Sequence, residues 1–164
     1  MVCNAPSRPV GGALGLHGHG LRERQLCGPP EANGVPRWIV IACRRYACTS
    51  CGAILMVVPR GVALRRRYGH AAIAMALTLW AIVGDSEAEV RRRVCARRIS
   101  IESPVRWPTL ARWARAAREA LANAALSLKQ AAARAAQIAI GRAPPELRRA
   151  SRWAQAFSGG SAMP

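Results

Sequence analysis

Carboxylates are scarce in this 164-residue chain: eight Asp and Glu in all, with Asp85 the single aspartate. Two-metal phosphoryl chemistry needs several carboxylates converging on the ions, and such a set is not available here. No Gly-rich phosphate loop, Gly-x-Ser-x-Gly elbow or His-Glu-x-x-His pattern occurs either. No catalysis and no small-molecule substrate are expected. Aromatic residues are few, at 5%, and much of the apolar content is alanine, so any core is thin. Long hydrophobic runs are also missing. The longest, AAIAMALTLWAIVG from Ala71 to Gly84, falls short of the roughly 18–20 residues of a spanning helix. The N-terminus MVCNAPSRPVGG lacks an apolar secretion core. The expected location is cytoplasmic, where six cysteines point to metal rather than disulfides.

What the chain has in excess is arginine. Lys129 is the only lysine, yet 25 basic residues give a net charge of +17. Phosphate is the natural counter-charge; DNA is the first candidate polyanion and RNA the second, since charge alone does not choose between them. Arginine, alanine, glycine and proline are also the residues of GC-rich codons, so a degraded reading frame would share this bias.

Residues 1–36 are rich in Gly and Pro and predict loops with one short irregular strand. RWIVIACRRYAC, Arg37 to Cys48, is dense in β-branched and aromatic residues and predicts a strand. The knuckle Cys48-Thr49-Ser50-Cys51, with Gly52 behind it, leads into a returning strand, Ala53–Val58. Such a knuckle supplies half of a tetrahedral zinc site. A redox reading needs a thiol at a helix N-terminus, which this strand–turn–strand setting does not offer; two inert thiols are the plainer alternative. Cys27, in the turn-forming LCGPP, and Cys3, before a turn-rich segment, are candidates for the missing ligands. Cys43 lies on the same strand as Cys48 and would need a bulge to join it, and His17 and His19 read as loop histidines.

The second half of the chain reads as helical. An apolar helix over 71–83 ends at Gly84, and Ser86 with Glu89 forms a capping box for a helix from Glu87 to about Cys95. Arg91, Arg92 and Arg93 suit that helix's C-terminal dipole. A third helix starts at Pro108 and continues weakly to Ile140, with Leu110, Ala114, Ala117, Leu121, Ala124 and Leu128 on one face. A short amphipathic segment follows over 146–157, and SGGSAMP is expected to be a disordered tail.

APSRPVGGALGLHGHGLRERQL, RRYACTSCGAILMVVPRG and RRRY together resemble the zinc-ribbon and helix-turn-helix region at the start of bacterial insertion-sequence transposases. They resemble still more closely small uncharacterised bacterial proteins carrying that ribbon. The likeness spans residues 3–118. It implies that Cys3 is the second cysteine of a first knuckle, with Asn4 where a glycine usually stands. Its partner would then fall three residues before Cys3, so that either the start lies upstream or the ribbon has decayed.

The expected architecture is therefore α+β. A zinc-ribbon-like β unit (1–62) precedes helix-turn-helix-like helices (63–118), an Ala/Arg-rich helical extension (119–157) and the tail (158–164). The metal set is Cys3, Cys48, Cys51 and Cys27, binding structural zinc. In the resemblance, Thr109–Arg115 lie on the recognition-like helix. Arg112 and Arg115 would meet bases and Arg106 and Arg118 phosphate; Arg65, Arg66 and Arg67 complete the expected nucleic-acid-binding set. The function expected is DNA binding related to a transposase's targeting region, without its catalytic domain. Two alternatives stand beside it. One is a helical interaction module for a partner protein or anionic membrane surface; the other is a non-functional transposase remnant.

Overall fold

The computed structural model describes residues 15–63, 67–96 and 106–162. Its architecture is α+β, a three-stranded antiparallel sheet followed by five α-helices. The chain forms two compact units. Among the described residues, the first comprises 15–25 and 40–59, and the second 26–39 and everything from 60 onward.

In the first unit, β1 (Leu16–Gly28) and β2 (Arg37–Cys48) contribute most of their length, and β3 (Ile54–Val57) completes the sheet in the order β1-β2-β3. β2 matches the expected strand residue for residue. β1 is a regular strand of 13 residues, where the sequence predicts loops and one short irregular strand. Pairing with β2 supplies the backbone partners that its own composition does not favour. Gly20 absorbs a left-handed φ of 76° within it. β3 pairs antiparallel with β2, placing Arg44 opposite Val57, Arg45 opposite Met56 and Tyr46 opposite Leu55. All four β3 side chains are exposed, Ile54 and Val57 more than half so.

The second unit is built around α1 (His70–Thr78), whose helical turns continue as a π-type turn, Leu79–Val83. Gly84, at φ 92°, ends it, and the N–H groups of both Gly84 and Asp85 donate to the Leu79 carbonyl. Around α1 stand α2 (Glu87–Val94), α3 (Pro108–Ala120), α4 (Leu128–Gly141) and α5 (Arg152–Ser161). α1 packs most extensively on α5, then on α4, with α2 and α3 adding smaller contacts. Met75, Leu79, Val90, Val94 and Leu110 are the large, fully buried core side chains; alanines fill much of the remainder. Tyr68, Trp107 and Trp113 close one side of that core as mutually edge-on rings, with centroids 4.9–6.1 Å apart, an arrangement favoured by aromatic quadrupoles.

Two expectations change here. The long third helix is two helices, because Ala122 turns left-handed at φ 48° and Ser127 starts a new helix with a reciprocal capping box to Gln130. The tail does not fray at Phe157: α5 continues through Ser158, Gly159 and Gly160 to Ser161. α2 packs on α1 and its π-type turn, whereas α3 packs on α4 and α1. Both helices nonetheless feed one core, Val90 and Val94 of α2 with Leu110 and Trp113 of α3.

Candidate nucleic-acid interface and thiol sites

α3 begins with Pro108 in its first turn and buries Leu110, Trp113 and Ala114, a set spaced to form one helical stripe. The remaining surface carries arginine. Arg106, Arg112 and Arg115 are exposed and Arg118 is half-buried. Arg112 Nη2 donates to the Thr109 hydroxyl at 3.0 Å, steadying one guanidinium along the helix surface. The ion pairs seen among the described residues lie on or beside α2 instead: Arg92 with Glu89, and Arg93 with Asp85 at 3.5 Å. The α3 arginines thus have no carboxylate partner among those residues. From Arg106 to Ala162 there are ten basic residues against two acidic ones, Glu119 and Glu146. All ten except Arg118 are exposed, so this stretch presents positive charge outward.

Arg93 stands in the last turn of α2 as expected and has a further task. Its guanidinium sits 4.3 Å from the centroid of the Trp153 ring, so it joins α2 to α5 through a cation–π contact. Arg67 is exposed, and its carbonyl accepts from the Cys27 N–H at 2.5 Å. Arg65 and Arg66 lie outside the described residues, as does Cys3.

At the knuckle, the Gly52 N–H donates to the Cys48 carbonyl and the Cys48 N–H to the Ala53 carbonyl, both at 2.9 Å. Gly52 takes φ 68°, the left-handed conformation that lets the chain reverse here. Thr49 fastens the turn to Gly15 through its N–H at 2.8 Å and its hydroxyl at 3.1 Å. Cys48 is buried and Cys51 exposed. Two thiols at this spacing fit half of a zinc coordination set. Among the described residues no group of three or more His, Cys, Asp or Glu is arranged to hold a metal. Cys43 is fully buried on β2, five residues from Cys48 and so on the opposite face of the strand.

Cys27 belongs to the second unit, while Cys48 and Cys51 belong to the first. The Cys27 sulfur accepts from the Ala96 N–H at 3.2 Å, directly after α2, and the Tyr68 hydroxyl donates to the Cys95 sulfur at 3.2 Å. Hydrogen bonding with the Cys95 side chain, then burial, pushes the Cys27 thiol far above its usual range. Burial, then the bond to Cys95, does the same to the Tyr68 phenol. The sequence signals neither this thiol–phenol cluster nor its aromatic wall, since its members lie at positions 27, 68, 95, 107 and 113 without local periodicity.

No family model, curated protein or solved structure matches the chain.

Proposed function

We propose that this chain is a DNA-binding protein that grips duplex through the arginine side of α3, supported by the basic surface of α4 and α5. One observation carries the reading: Arg112 and Arg115 project from a helix whose opposite stripe is anchored in the core, and Arg106 stands just before it, all without carboxylate partners among the described residues. Thirteen residues make a helix about 20 Å long, and a B-DNA major groove about 12 Å wide admits such a rod. In this reading Arg112 and Arg115 present planar forks to guanine O6 and N7, and Arg106 and Arg118 neutralise phosphates. Lys129, Arg134 and Arg142 add sequence-independent attraction.

The reading keeps the kinship to a transposase's targeting region, a cytoplasmic setting and a binding rather than catalytic role. Zinc at the Cys48–Cys51 knuckle is part of the proposal as a structural cross-link of the sheet, and it requires further ligands from outside the described residues. No helix among those residues is long and apolar enough to cross a membrane.

Fluorescence anisotropy on a labelled duplex across a salt series tests this function. Each phosphate contact contributes about 0.9 to the slope of log affinity against log salt, so replacing Arg106 and Arg118 with alanine flattens that slope by about 1.8. Replacing Arg112 and Arg115 weakens binding and narrows discrimination between sequences. Absence of binding at low salt overturns the proposal. So does equal competition by heparin, or stronger co-sedimentation with anionic vesicles than binding to duplex.

A further inference from the structure

We infer that Cys27 and Cys95 form a reversible disulfide, a redox-controlled cross-link between the end of β1 and the end of α2. The inference is independent of the DNA-binding reading. It rests on the way three segments converge on the two sulfurs. Cys27 is fixed in place by its N–H bond to the Arg67 carbonyl at 2.5 Å. The next residue, Gly28, approaches α1 so closely that a Cβ there would stand 3.0 Å from that of Ala72.

The Cys27 sulfur lies 3.2 Å from the Ala96 amide nitrogen. That nitrogen is roughly 2.4 Å from the Cys95 Cα, so the Cys27 sulfur lies within about 5.6 Å of that Cα. Bridged cysteines have Cα atoms roughly 4.4–6.8 Å apart, a separation that a Cys27 sulfur seated against the Cys95–Ala96 peptide allows.

The surroundings assign different parts to the two sulfurs. Cys95 is partly exposed, and its sulfur accepts from the Tyr68 hydroxyl at 3.2 Å. Tyr68 is itself held edge-on by Trp107 and Trp113. Cys95 therefore meets a small oxidant first. Cys27 is only 2% exposed and resolves the product.

With a hydroperoxide as oxidant, the Cys95 thiolate attacks one peroxide oxygen. The O–O bond breaks, and the departing hydroxide takes a proton to become water. Cys27 then loses its proton and attacks the sulfenic sulfur. The S–S bond forms as the S–O bond breaks, and the leaving hydroxide takes that proton as a second water. The two thiols have given two electrons to the peroxide, and a low-molecular-weight dithiol returns them.

The test is peptide mapping of the folded chain after treatment with hydrogen peroxide, alkylation and digestion without reductant. A linked Cys27–Cys95 peptide is expected as the main cross-linked product, lost after dithiothreitol. Replacing Cys48 and Cys51 with serine should leave its yield unchanged. Tyr68→Phe should slow sulfenic-acid trapping at Cys95 several-fold without changing labelling of Cys51. The mapping uses the unaltered protein, so it does not depend on a variant folding. Cys48–Cys51 as the only bridge overturns the inference. So does peroxidation of Cys95 without linkage, or equal yield of the Cys27–Cys95 peptide from chain unfolded in urea.

Discussion

Gly159 in α5 lies so close to the Ala139 carbonyl of α4 that a Cβ at Gly159 would stand 1.8 Å from that oxygen. Its neighbour Gly160 faces α1 as tightly, with a Cβ position 2.8 Å from the His70 carbonyl and 2.9 Å from the Ala71 Cα. Two bare residues thus let one helix lie backbone-to-backbone against two others. Alanine in a helix normally gains about 1 kcal/mol over glycine. Here the obstacle is backbone, which cannot swing aside, and overpacking of this kind costs about 1–3 kcal/mol or more. Gly159→Ala should therefore lower the thermal midpoint by several degrees despite its better helix propensity. An unchanged or raised midpoint in a calorimetric scan would refute this packing.

The same pair shows where sequence reading stops. SGGSAMP has the composition of a flexible tail, and nothing local signals that Ala139, His70 and Ala71 stand opposite its glycines. Conversely, β2, the Gly84 stop and Pro108 were legible, as was half of the Ser86 capping box: the hydroxyl accepts from the Glu89 N–H, while the Glu89 carboxylate turns to Arg92. For the candidate site, the exposed arginines of α3 followed from periodicity. The Cys27–Tyr68–Cys95 cluster did not, because only tertiary packing assembles it.

Ala122 occupies a left-handed conformation after α3, a site where glycine is the usual residue. A non-glycine residue there costs roughly 1 kcal/mol, so Ala122→Gly should raise the chemical-denaturation midpoint by a comparable increment. Ala122→Val, with its branched Cβ, should lower it. With alanine rather than glycine at the break, the apolar periodicity read as continuing weakly to Ile140.

Glu87 holds α3 to α2: its carboxylate accepts from the Trp107 N–H at 2.5 Å. Trp107 is 6% exposed, so removing the acceptor leaves a sheltered donor unsatisfied, at about 1–3 kcal/mol. Glu87→Ala should destabilise the helical unit and speed hydrogen exchange at that amide. Glu87→Gln, which retains an acceptor oxygen, should restore most of the protection.

Burial lowers the His70 pKa below its ordinary 6.5, and its Nδ1 is buried without a partner among the described residues. As pH falls, the unfolded chain takes up this proton before the folded chain does. The stability owed to the neutral ring is therefore complete above about pH 6.5 and is lost as pH drops toward the lower folded value. Urea midpoints of the wild type should fall across that window. The fall should be smaller in His70→Gln, and identical slopes for the two proteins would remove His70 from the account.

β3 carries Ile54, Leu55, Met56 and Val57 in the open at the terminal position of the sheet, with Arg44 and Arg45 as the cross-strand neighbours of Val57 and Met56. An apolar terminal strand is a template for intermolecular pairing, and adjacent cations act as its gatekeepers. The +17 charge thus also has a colloidal role, keeping copies of the chain apart. A polyanion that cancels that charge removes the barrier, so light scattering should peak near charge equivalence and clear again in polyanion excess. Under the proposed function, solubility and polyanion binding draw on the same net charge.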